Sequence, residues 1–108
     1  MKDHLTKLQS LLADIERLGE DRKKLLIKKV LCEATLNDAE DKIRELALTS
    51  DLPVTRIPLM IKNGTQVERR ELHKAESNYR VCAGEYEMTI EILNAVKFEV
   101  RLTEMLGG

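Results

Sequence analysis

The sequence predicts an all-α fold: a long antiparallel, coiled-coil-like helical hairpin that joins a second copy as a homodimeric four-helix bundle. Three observations predict it. Leu11, Leu18, Leu25, Cys32, Ala39 and Leu46 recur every seventh residue, with Leu8, Ile15, Arg22, Lys29, Leu36 and Ile43 three before each. That 3-4 spacing belongs to a helix laid along a partner. A second stripe, from Leu72 through Ala75, Tyr79, Cys82, Tyr86, Thr89, Leu93, Val96 and Val100 to Thr103, contains no charge. Between the stripes stand Pro53, Pro58 and the pair Asn63-Gly64, residues that interrupt helices.

A chain of 108 residues is read as one domain, 1–108. The first helix is expected from about residue 3 to 48, with Asp3 as a usable N-cap. Gly19 is its weak point, but the heptad phase continues through it. Thr49-Ser50-Asp51 and Pro53 end the helix. A connection of about 49–64 follows, expected to fold back as an extended piece. It is long for a helix hairpin, where a functional loop becomes a fair inference. The second helix is expected over about 65–106. Thr65 with Glu68 reads as a capping box at its start, and Gly107-Gly108 as its stop.

Charge sets the direction of the pair. Arg17, Arg22, Lys23, Lys24, Lys28 and Lys29 outnumber Glu20 and Asp21, whereas residues 31–51 are strongly acidic. In an antiparallel hairpin these blocks face acidic 85–97 and mildly basic 63–83, so the signs oppose. Centring the turn near Ile57 puts Cys32 level with Cys82, Ala39 with Ala75 and Leu18 with Val96. Arg22 and Lys29, which interrupt the apolar seam, then seek Glu91 and Glu85. His73 falls near Asp41.

A lone pair of helices leaves apolar surface over. Val81, Met88, Ile92, Ala95, Leu102 and Leu106 form a second row on the far side of helix two, matched by the shorter Ile27, Val30 and Ala34 on helix one. The homodimer interface is assigned to Val81, Met88, Ile92, Ala95, Leu102 and Leu106. Leu52, Ile57, Leu59, Met60 and Ile61 make the connection apolar, and it is assigned as a surface for a protein partner.

Catalytic chemistry finds no footing. Di-iron bundles need Glu-x-x-His on facing helices, but Arg70 precedes His73 by three positions and Met1 precedes His4. Asp38, Asp41 and Glu45 read as a solvated face, and Cys32 and Cys82 as small seam residues. No enzyme activity, cofactor or metal is expected. Met1-Lys2-Asp3-His4 lacks an apolar leader, and no apolar run is long enough to span a bilayer, so the expectation is a cytoplasmic protein without membrane contact. The net charge of −1 gives no global pull on anions.

The alternative to a protein-binding role is a nucleic-acid-binding accessory for DNA replication or recombination. Arg17, Arg22, Lys23, Lys24, Lys28 and Lys29 would track phosphates, as would Arg56, Lys62, Arg69, Arg70 and Lys74 near the turn. Aromatics are only 3% of the chain, so a base-stacking platform is missing.

Two coiled helices around a Pro-containing connection, with Asn63-Gly64-Thr65 opening the second, resemble small phage-encoded helical proteins, some of them from early or recombination gene clusters. The resemblance covers most of the chain in layout. It implies a phage or prophage origin, residence in the host cytoplasm, and a role by binding: an accessory, or an inhibitor that occupies a host or phage enzyme.

Overall fold

The structure is a computed structural model that describes residues 2–107. These form helices α1 (Lys2–Thr49), α2 (Ile57–Gly64) and α3 (Gln66–Met105), with a 3₁₀ turn at Val54–Arg56 before α2. No strand occurs among the described residues.

Hydroxyl side chains close the end of α1. Thr49 Oγ1 lies 3.1 Å from the Glu45 carbonyl oxygen and 3.0 Å from that of Leu46. Ser50 donates to Leu46 at 2.6 Å. They satisfy carbonyls that a helix end leaves without partners. Asp51 then takes a left-handed conformation, φ 55°, at the place where helices commonly reverse.

The connection is not the extended piece expected over 49–64. Arg56 N–H donates to the Pro53 carbonyl at 2.9 Å to close the 3₁₀ turn. Pro58 sits in the first turn of α2, where its missing N–H costs nothing. Nor does Thr65 form a capping box. Its side chain is fully buried and its hydroxyl donates back to the Ile61 carbonyl at 2.6 Å. Thr65 therefore joins α2 to α3 almost without interruption, and the Thr65 carbonyl accepts from Arg69 N–H at 3.0 Å.

This moves the reversal to Ser50–Pro53 and changes the pairing. The chain divides into two compact units, one of residues to Lys24 with those from Arg80 onward, the other of Leu25–Tyr79. In the first, His4 faces Glu99, Leu18 faces Cys82 and Arg22 faces Tyr86. In the second, Tyr79 faces Lys29 and Gly64 faces Ile43. Within each unit α1 and α3 run antiparallel, as a helical hairpin requires. The pairings Cys32–Cys82, Leu18–Val96 and Lys29–Glu85 are therefore wrong: the turn lies several residues earlier than Ile57.

Burial follows both stripes. In the first unit Leu18, Cys82, Leu93 and Val96 are buried, and Leu8, Leu11, Ile15, Tyr86 and Val100 are half-buried. In the second, Ala47, Ile61, Thr65 and Ala75 are buried, around half-buried Leu36, Ile43 and Leu72. Leu46 departs from expectation: it is 64% exposed while Ala47 is 0%. A helix of 3.6 residues per turn drifts away from a strict seven-residue repeat, and by this turn the inward position has moved on by one.

Candidate interaction surfaces

The outer row of α3 is set by its inner one. Because Leu93 and Val96 point inward, helical geometry turns Val81, Met88, Ile92, Ala95, Leu102 and Leu106 away from that seam. All six are exposed, Leu102 by 41% and Leu106 by 84%. Phe98 (61%) and Met105 (82%) widen the face. Glu85 and Glu91 border it and Arg80 stands at the same helical angle as Phe98, while Glu99 turns to His4 of α1. On α1, Ile27, Val30 and Ala34 are exposed too.

The apolar residues near the turn divide between two directions. Ile61 is buried, Leu52, Ile57 and Met60 are half-buried, and Leu59 is 59% exposed. α2 thus lays one face on its own unit and leaves Leu59, with Val54, at the surface. The missing signal was Pro58, which reads as a breaker in sequence but opens a helix here.

The basic side chains fall into two groups. Along the α1 block, Arg17 pairs with Asp14, Lys23 with Glu20 and Lys29 with Glu33, each at 3.9 Å. Arg22 lies 5.3 Å from the centre of the Tyr86 ring, and Lys29 Nζ 5.4 Å from that of Tyr79. The seam cations thus lie over tyrosine faces of α3, a cation–π arrangement, rather than against Glu85 and Glu91, and Lys29 also pairs with Glu33 on its own helix. Lys24 and Lys28 are exposed. Near the turn, Arg56, Lys62, Arg70 and Lys74 are exposed and Arg69 is half-buried.

The remaining titratable groups are dispersed. Cys82 is buried, and desolvation pushes its thiol above the usual range, assisted by the Asp21 and Glu85 carboxylates. Cys32 is half-buried beside a shallow hollow lined by Thr35, Val67, Glu68 and Glu71. Both thiols are free. Asp41 pairs along α1 with Arg44 at 3.3 Å, not with His73, and His4 reaches Glu99 on α3 at 3.7 Å. Among the described residues no group of three His, Cys, Asp or Glu is placed to hold a metal ion, and no helix is long and apolar enough to cross a membrane.

No protein-family model matches the chain, and searches of curated proteins and of solved structures find no match.

Proposed function

We propose that this chain acts by binding, not catalysis, and that its α3 outer row packs on the same row of a second copy to make a four-helix bundle. The observation that carries this is the contrast between two rows of one helix. Leu93 and Val96 are buried, whereas Val81, Met88, Ile92 and Leu102 remain in water. A contiguous apolar face on a small helical protein marks an interaction site more often than a solvated surface.

A two-fold axis across α3 near Ile92 brings the row against itself, because a symmetric interface needs only one self-complementary patch. Each large apolar side chain removed from water contributes about 1.5–3 kcal/mol, which offsets an association cost of about 4–15 kcal/mol only when several are buried together. Five large side chains on each copy, Val81, Met88, Ile92, Leu102 and Leu106, meet that condition. The bundle would then present the turn end, including Leu59, as a second surface for a protein partner.

Sedimentation or light scattering over a concentration series tests this. The wild type is expected to be dimeric at micromolar concentration, and Met88→Glu with Ile92→Glu to be monomeric with helical circular dichroism retained. A wild type that stays monomeric throughout the series would overturn the proposal.

A further inference from the structure

The bases near the turn occupy one side of α3. Leu72, Ala75 and Tyr79 define the inner face of this part of the helix. At 3.6 residues per turn, Gln66, Arg70, His73 and Ser77 lie opposite them, with Arg69 and Lys74 on the flanks. This outward face thus carries cations, a histidine, an amide and a hydroxyl, bordered by the exposed Val67, with no carboxylate among them. The acids of the same stretch are turned elsewhere. Glu68 and Glu71 line the hollow beside Cys32 and Thr35, and Glu76 is half-buried.

These cations are also uncommitted. The ion pairs of this unit among the described residues join Lys29 to Glu33 and Arg44 to Glu40 and Asp41. None engages Lys62, Arg69, Arg70 or Lys74. The α1 block differs, since Arg17, Lys23 and Lys29 are spent on Asp14, Glu20 and Glu33, and Arg22 and Lys29 lie over tyrosine rings. Lys24 and Lys28 of that block also remain exposed and outside these ion pairs, so what distinguishes the turn-end cations is that they share one face of α3 without a carboxylate.

We infer that the outward face of α3 from Gln66 to Ser77, with Lys62 of α2 beside it, binds the phosphate backbone of a nucleic acid. Gln66 to Ser77 spans about 17 Å along the helix axis, long enough to reach several phosphates of a duplex, whose charges recur about every 1.7 Å of its axis. Arg69, Arg70, Lys74 and Lys62 supply charge, and the Gln66 amide and Ser77 hydroxyl supply donors that phosphate oxygens accept. An exposed helix carrying its cations on one side fits the width of a B-form major groove, where both backbones are within reach. With no Phe, Tyr or Trp in this row, contact is to the backbone without base stacking. The inference is independent of self-association, which uses residues from Val81 onward.

Fluorescence anisotropy of labelled duplex and single-stranded oligonucleotides tests it on the full chain. Binding is expected at low salt, and raising salt fourfold should weaken it about a hundredfold, as four phosphate contacts dictate. Arg70→Glu with Lys74→Glu alters two exposed side chains and leaves the seam intact. It should cut affinity more than tenfold and lower the salt slope by about 2. Lys24→Glu with Lys28→Glu on α1 should remain within about twofold of wild type, because those residues lie outside the site. No binding of either oligonucleotide at low salt would overturn the inference. So would equal losses in the two variants, or displacement of the oligonucleotide by phosphatidylserine vesicles at comparable phosphate concentration.

Discussion

The Cys82 thiol meets the Leu18 backbone across the first helix pair, its sulfur 3.7 Å from the carbonyl oxygen. Both residues are buried, so the contact records the register of α1 against α3 in that unit.

Burial also sets the chemistry of this thiol. The first cause of its raised pKa is desolvation, followed by Asp21 and Glu85. Above the ordinary thiol value of 9.0, the unfolded chain releases a proton that the native chain keeps, so stability falls as pH rises through that interval. Cys82→Ala should remove this fall at a cost of about 1 kcal/mol for the deleted buried group. Urea unfolding on both sides of the interval measures it. Iodoacetamide should label Cys32 before Cys82 in the native protein, and equal rates would contradict the burial.

Gly19 holds no essential space. A methyl there would sit 3.6 Å from Tyr86 Cε2, an ordinary contact. Gly19→Ala should therefore stabilise the protein by about 1 kcal/mol, the helix-propensity difference. A rise in the urea midpoint at constant m-value is the expected result.

Gly64 behaves differently, because a methyl there would meet Ile43 Cδ1 at 2.5 Å. Gly64→Ala must displace the Ile43 terminal methyl, so alone it should give less than the full propensity gain. Ile43→Val deletes the obstructing methyl, and on that background Gly64→Ala should recover about 1 kcal/mol. A coupling of at least about 0.5 kcal/mol in the double-mutant cycle is expected for two groups in contact; additive effects would show that the helices separate more easily here than the contact implies.

The acidic rim gives the proposed dimer a sign. Glu85 and Glu91 lie along the outer face of α3, so two copies bring like charges together. Added salt screens that repulsion over about 10 Å at 0.1 M, and dimer affinity should rise with ionic strength. Glu91→Lys should strengthen the low-salt dimer and flatten the salt dependence. Sedimentation equilibrium at two ionic strengths checks both, and a dimer weakened by salt would contradict the α3–α3 arrangement.

The seam was legible because it is local. Leu18, Leu93 and Val96 were expected inside and are buried, and Val81, Met88 and Leu102 were expected outside and are exposed. A residue's face on a helix depends only on its spacing from neighbours along the same chain. Leu46 is exposed because helical drift against a strict seven-residue repeat has moved the inward position on to Ala47. Arg22 and Lys29 were recognised as interruptions, but the tyrosines that receive them lie on the other helix, beyond the reach of periodicity.

Helix content, the inner and outer rows and the antiparallel order were thus determined by the sequence alone, since each follows from spacing and charge along the chain. Register and availability were decided only in the tertiary structure. Pro58 opens α2 where it was expected to break the helix, Thr65 turns its hydroxyl back to Ile61, and Asp51 reverses the chain. Together these shift which residues face each other and which cations keep a carboxylate. Such outcomes depend on where two distant segments meet, and no single stretch of the chain carries that information.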